Sequence, residues 1–223
     1  MGNLCTRACG FCGIENYRGP LKSPSIKELL YIREAVKKLG MHHVIMTSVT
    51  RDDLNDGGAS HFALGVSMLR ELDDCLYIEL LVPDFRGRKE SIEKIVFVKP
   101  DIFSHNIETV PRLYSKVRPH ADYMRSLELL RYAKELDGNL ITKSGLMVGL
   151  GEDRHEVYSV MADLKKSGCD MITIGQYLRP DSSCLEVKEF LHPEEFLVFS
   201  GWAKDLGFKK FSCNPFVRSS NVN

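Results

Sequence analysis

Stretches that read as buried strands alternate with stretches that read as amphipathic helices, and this alternation narrows the fold more than any other feature. Helical spacing of apolar residues marks 24–39, 59–72, 90–98, 126–136, 154–166 and 193–206, with Ser126 as the expected cap of its helix. Between them lie apolar runs of strand length at 43–49, 76–82, 101–105, 140–150 and 170–177, and a last short strand is expected at 209–212. Strands joined by helical crossovers pair in parallel and are covered on their outer face by the helices. The expected fold is therefore α/β, a β/α barrel or partial barrel. No long linker, low-complexity stretch or internal repeat divides it, so residues 1–223 are read as one domain. Barrels of this kind place their chemistry where strands end and loops begin. Polar groups fall at those points: Thr47-Ser48, His105-Asn106, Gly149-Leu150-Gly151 and Gln176-Tyr177.

Thirty basic residues balance 30 acidic ones, which gives no support for nucleic-acid binding or for a basic membrane-facing patch. No apolar run approaches the roughly 20 residues of a membrane-spanning helix. Met1-Gly2-Asn3-Leu4 lacks the charged and apolar regions of a signal peptide, so the expected compartment is the cytoplasm. Seven cysteines, an odd number in a chain this long, make a poor disulfide scaffold. Three of them fall together at Cys5, Cys9 and Cys12, whereas Cys75, Cys169, Cys184 and Cys213 are scattered and read as structural thiols. None of the seven histidines forms an i, i+4 metal pair.

Cys5-Thr-Arg-Ala-Cys9-Gly-Phe-Cys12 has the spacing C-x3-C-x2-C. Three thiolates on one short loop can hold three irons of a [4Fe–4S] cluster. The fourth iron is then open to a small chelating molecule. A structural zinc site wants four ligands, and no fourth cysteine or histidine stands nearby. The motif resembles that of the radical S-adenosylmethionine (SAM) superfamily, in which Phe11 matches the aromatic residue before the third cysteine. The resemblance implies that the amino and carboxylate groups of SAM bind the open iron. One electron from the cluster then cleaves SAM to a 5′-deoxyadenosyl radical.

Further motifs narrow the family. They are Thr47-Ser48-Val49-Thr50-Arg51-Asp52-Asp53-Leu54, Leu81-Val82-Pro83-Asp84-Phe85-Arg86-Gly87, and Ser104-His105-Asn106-Ile107-Glu108-Thr109 followed by Val117-Arg118-Pro119. Next come Thr142-Lys143-Ser144-Gly145-Leu146-Met147-Val148-Gly149-Leu150-Gly151-Glu152, Gly175-Gln176-Tyr177-Leu178 and Pro215-Phe216-Val217-Arg218-Ser219-Ser220. In this order, from Gly2 to Ser220, they resemble lipoyl synthase. The resemblance implies a partial (β/α)6 TIM-type barrel of the radical SAM class, and a sulfurtransferase that inserts sulfur at C6 and C8 of an octanoyl group on a carrier lysine. It implies two [4Fe–4S] clusters: one cleaves SAM, and the other, auxiliary, is consumed as the sulfur source. Expected partners are an octanoylated lipoyl carrier domain (a 2-oxoacid dehydrogenase E2 or a glycine cleavage H protein) and an electron donor such as ferredoxin or flavodoxin.

Two features of the family have no counterpart in this sequence: a C-x4-C-x5-C segment that holds the auxiliary cluster, and a first barrel strand ahead of the cysteine loop. The expectation is a chain shortened at its start, a fragment or a gene model begun at an internal methionine; if the upstream region is truly absent, the chain alone should cleave SAM but not insert sulfur. The resemblance makes Ser220 the serine ligand of the auxiliary cluster, and Asn221-Val222-Asn223 departs from the family's usual ending. The rivals are another radical SAM enzyme, one resembling biotin synthase, and a non-catalytic iron–sulfur protein.

Each candidate has a plain alternative. Thr47 and Ser48 are placed to bond the methionyl amine or carboxylate of SAM, or merely to satisfy a strand end. Asp52 is the one residue singled out of a charged turn, for contact with substrate or support of the site. Asn106 and Glu108 are expected at the ribose, where a carboxylate accepts both hydroxyls; the alternative is a salt bridge to Arg112 or Arg118. Lys143 requires an anionic partner if it points inward, either SAM's carboxylate or one from the protein. The backbone of Gln176, Tyr177 and Leu178 is placed to read the adenine edge, with Leu178 on the ring, or these residues are barrel core. Arg218 orients substrate or supports the auxiliary cluster, or is a surface arginine.

Overall fold

The computed structural model describes residues 1–219. Six strands form one open, all-parallel sheet in sequence order: β1 (His43–Thr47), β2 (Tyr77–Leu81), β3 (Ile102–Ser104), β4 (Ile141–Val148), β5 (Met171–Gln176) and β6 (Lys210–Cys213). The helices are α1 (Ile26–Leu39), α2 (Ala59–Arg70), α3 (Lys89–Phe97), a short α4 (Tyr114–Val117), α5 (Tyr123–Leu136), α6 (Arg154–Lys166) and α7 (Pro193–Asp205). Each strand therefore has a helical crossover before the next, the α/β arrangement expected from the alternation. The short last strand forms, at Lys210–Cys213.

Local chemistry fixes the helix ends. Gly40 closes α1 in the left-handed conformation, φ +58°, with its N–H on the carbonyls of α1's last turn. Asp153 and Glu156 form a reciprocal capping box at the start of α6. The cap of α5 is Asp122, whose side chain accepts from Arg125 N, and the helix begins three residues before Ser126. Ser126 instead lies inside the helix, fully buried, where its hydroxyl donates to Asp122 O and meets His105 Nε2 at 3.1 Å. An acidic cap outcompetes a serine one turn later because the serine has a buried partner of its own.

The core lies between sheet and helices. Phe62, Val66 and Leu69 of α2, Leu129, Leu130 and Ala133 of α5, and Phe196 and Phe199 of α7 pack on Ile78, Leu80, Phe103, Ile172 and Ile174. The opposite face of the strands turns inward. On three consecutive strands it carries Glu79, Ser104 and Lys143: Lys143 Nζ lies 2.8 and 2.9 Å from the two Glu79 oxygens, and Ser104 donates to Glu79 at 2.7 Å. By strand alternation Lys143 shares its face with Gly145 and Met147. The ion pair thus fills the barrel interior beneath the strand ends. No helix among the described residues is long and apolar enough to cross a membrane.

Candidate active site

Cys5, Cys9 and Cys12 line one wall of a cavity of about 500 Å³ at the C-terminal ends of the strands. Their loop has no regular structure, yet it is anchored along its length. Cys5 N–H donates to Glu15 O and Cys5 O accepts from Tyr17 N, both at 2.9 Å; Thr6 N–H reaches Thr50 O, beyond β1, at 3.0 Å. Gly10 N–H donates to Val117 O at 2.9 Å, and Gly10 O accepts from Leu185 N at 2.7 Å. A side chain at position 10 would come within 2.9 Å of both Lys116 O and Leu185, so the close approach needs glycine there.

Burial pushes the Cys9 thiol up to about 11, with the Arg118 charge opposing, and burial also raises Cys12. Burial thus disfavours the thiolate form at Cys9 and Cys12 in the absence of a cation. Cations such as cluster irons reverse that balance and hold thiolates.

The opposite wall carries Thr47, Ser48, Asn106, Glu108 and Arg118. A second, smaller cavity of about 150 Å³ shares Phe11, Asn106 and Glu108 with the first and continues over Gln176, Tyr177, Leu178 and Arg218. Two cavities with a common wall make a trough of the size that takes a small-molecule ligand.

Glu108 adopts φ +67°, rare for a residue with a side chain. Its own N–H on Gly145 O and Met147 N–H on its carbonyl, both at 2.9 Å, hold it there as a single bridge to β4. Backbone strain pinned at a cavity wall is a feature of functional sites. Burial raises the Glu108 carboxyl, while Arg118 and Asn106 oppose the rise. Asn106 Oδ1 is buried with no hydrogen-bond partner. A Cβ at Gly145 would come within 2.7 Å of that oxygen, and one at Gly175 within 2.5 Å of Val217 O. An orphaned acceptor, a strained carboxylate and two glycines keeping the floor low fit a ligand rich in hydroxyl and amino donors, as SAM is.

The sequence-predicted residues mostly converge. Cys5, Cys9, Cys12, Phe11, Thr47, Ser48, Asn106 and Glu108 line the larger cavity, and Gln176, Tyr177, Leu178 and Arg218 the smaller. Thr47 Oγ1 donates to Leu81 O and Ser48 Oγ to Val49 O, so both hydroxyls are left as acceptors. Arg112 is taken by Glu156 at 2.7 and 2.8 Å, which leaves Arg118 as the cation nearest Glu108. Gln176 uses its side chain on Tyr177 O, Glu189 O and Leu191 N, while its N–H goes to Pro215 O and that of Tyr177 to Val148 O. Leu178 is the member of that trio whose backbone is unengaged among the described residues.

Lys143 and Asp52 line neither cavity. Lys143 is answered by the protein's own Glu79 rather than placed for SAM, and Asp52 accepts from Arg7 Nε at 2.8 Å. Ser220 lies outside the described residues.

Sequence reasoning gave Arg118 only as a salt-bridge alternative for Glu108, and assigned His105 no role. Arg118 is buried, donates through Nη1 to Asn106 O, Ile107 O and Tyr114 Oη, and stacks 5.5 Å from the Tyr114 ring. A lone arginine between a valine and a proline, just past the short α4, carries no periodicity. His105 sits between Val82 O (2.8 Å) and Ser126, and burial lowers it to about 4.

A parallel α/β sheet whose strand ends face three loop cysteines and a donor-seeking trough defines a radical SAM protein, and residues 1–164 match the Radical SAM superfamily. The lipoyl synthase of Caldanaerobacter subterraneus subsp. tengcongensis is 53% identical over 99% of this chain and 76% of its own length. That of Alkaliphilus metalliredigens is 47% identical over 99% and 75%. The chain belongs to the lipoyl synthase family. Among solved structures, methylornithine synthase (PylB) shares the fold at TM-score 0.68 with 16% identity, covering 99% of this chain and 72% of that one. Streptococcus suis SuiB bound to S-adenosylmethionine does so at 0.71 with 13% identity, over 97% and 49%.

Proposed function

We propose that this chain is a sulfurtransferase that inserts two sulfurs, at C6 and C8, into an octanoyl group carried on a protein lysine. The observation that carries the proposal is the trough: three loop cysteines on one wall, with Asn106 and Glu108 shared between that cavity and its neighbour. Family membership supplies the rest of the reading.

Cys5, Cys9 and Cys12 would hold the SAM-cleaving [4Fe–4S] cluster, a family requirement that fits their common cavity. When bound, the reduced cluster supplies the electron that cleaves SAM to a hydrogen-abstracting radical. The chain's own residues position and shield. Thr47 and Ser48 offer acceptor oxygens to the methionyl ammonium. Glu108, once ionised, accepts from the ribose hydroxyls, and Asn106 Oδ1 gains the donor it lacks. Leu178 offers its backbone to the adenine edge. Arg118 places a fixed positive charge on the wall beside Glu108. An octanoylated carrier domain and a ferredoxin- or flavodoxin-type donor are the proposed partners, with Arg218 at the mouth of the smaller cavity to orient substrate. The sulfur source assigned by the family is a second, auxiliary cluster.

The test is anaerobic reconstitution with iron and sulfide, then SAM, dithionite and an octanoyl-lysine peptide, with the peptide products read by mass spectrometry. Appearance of mono- and dithiolated peptide supports sulfur insertion. SAM cleavage with an unchanged peptide rejects it for this chain and leaves a SAM-cleaving core.

A further inference from the structure

Between Cys5 and Cys9 stands Arg7, a cationic side chain only 4% exposed that lines neither cavity. Its guanidinium makes hydrogen bonds through all three nitrogens. Nε and Nη2 donate to the two oxygens of Asp52 at 2.8 and 3.0 Å, and Nη1 donates to Asp84 at 3.0 Å while Nη2 reaches the other Asp84 oxygen. Asp52 follows β1 and Asp84 follows β2, so one side chain joins the cysteine loop to two strand ends. Asp84 is fully buried and also accepts from Arg86 N at 3.0 Å and from Arg125 at 3.3 Å. The backbone repeats the tie: Thr6 Oγ1 donates to Thr50 O and accepts from Asp52 N, both at 3.0 Å. Arg7 N–H itself points at Cys5 Sγ, 3.4 Å away.

A buried guanidinium is costly unless two planar acceptors meet it, and here they do. The cysteine loop has no helix or strand of its own, and the barrel core packs without Arg7. What the double fork secures is the course of the chain between the first two cysteines. Hydrogen bonds to the sulfurs of an iron–sulfur cluster also set its potential, and the Arg7 amide would make such a bond if Cys5 held the cluster.

We propose that Arg7, clamped by Asp52 and Asp84, is a positioning residue that presets the cysteine loop for its cluster and holds a backbone N–H on the Cys5 sulfur. The proposal rests on the reading of Cys5, Cys9 and Cys12 as cluster ligands. The test compares the wild-type chain with Arg7→Gln, Arg7→Lys and Asp52→Asn after anaerobic reconstitution. Readouts are iron and sulfide per chain, the rate of iron loss to a chelator, the cluster's midpoint potential, and the thermal melt of each cluster-free protein. Arg7→Gln and Asp52→Asn are expected to lose iron about tenfold faster or more, the cost typical of removing a group that orients a metal ligand. Their potentials shift; the cluster-free melt of Asp52→Asn, at a partly exposed carboxylate, stays close to wild type, whereas that of Arg7→Gln falls because buried Asp84 loses a partner. Lysine is expected to rescue only part, because a point charge cannot serve both carboxylates at once. Wild-type iron retention and potential in both variants would overturn the proposal. If Arg7→Gln does not fold, Asp52→Asn decides alone, since Asp84 still holds Arg7 there. A wild-type chain that takes up no cluster removes the cluster reading and this proposal together. Variants that hold the cluster as well as wild type remove only this one.

Discussion

Replacing Lys143 with methionine strands Glu79 inside the barrel. Both side chains are almost completely buried, and Lys143 meets both carboxylate oxygens at 2.8 and 2.9 Å. Without the ammonium, Glu79 keeps one hydrogen bond, from Ser104 at 2.7 Å. Breaking a buried pair from one side costs about 3–5 kcal/mol, because the remaining charge is uncompensated. Glu79→Leu should cost a similar amount for the mirrored reason. The double variant removes both charges and leaves Ser104 short of a partner, a penalty of about 1–3 kcal/mol. It should therefore lie well above the sum of the singles. Urea unfolding of the cluster-free protein, followed by circular dichroism, measures all three. A loss below about 1 kcal/mol in Lys143→Met, or a double variant as unstable as the sum, would refute the reasoning. The double variant also separates roles: if Lys143 answers Glu79 alone, its SAM affinity is unchanged.

Further outcomes follow from the trough and its support. Glu108→Gln should weaken SAM binding by about 1.5–3 kcal/mol, the worth of hydrogen bonds to a charged acceptor. Burial holds the Glu108 carboxyl high, so wild-type SAM affinity should rise with pH through that titration and the variant should lose the rise; isothermal titration over a pH series reads both. Gly145→Ala places a methyl 2.7 Å from Asn106 Oδ1 and should cost about 1–3 kcal/mol of stability along with SAM affinity, by melting and by titration. His105 is buried neutral and lowered to about 4 against the usual 6.5. The unfolded chain gains this proton first on acidification. The histidine's share of stability, about 3 kcal/mol, is intact above pH 6.5 and lost as pH falls toward 4. His105→Asn should flatten that part of the stability profile.

Strand and helix order was legible because it rests on local periodicity, and even the four-residue β6 showed. What escaped depended on contacts distant in sequence. The cap of α5 was misplaced because Ser126 looks like a cap until His105, 21 residues away, is seen to claim it. Lys143 and Glu79 lie 64 residues apart, and SAM competed with the true partner until the strands were in register. A signal existed: each of two otherwise uncharged strands carries one charge, and the charges are opposite. Asp52 was singled out without a partner, because Arg7 reads as an ordinary residue between cysteines. The cavity-lining residues were easier, since strand ends concentrate polar side chains where a barrel puts its site.

The most direct test of the account is 5′-deoxyadenosine formation by the anaerobically reconstituted chain with SAM and dithionite. The cysteine-loop reading predicts product from the wild type, none from Cys5→Ala, Cys9→Ala or Cys12→Ala, and retained product from Cys75→Ala, whose exposed thiol lies away from the loop. Undiminished product from any of the three loop variants, or none from a wild-type chain with its cluster in place, would contradict it.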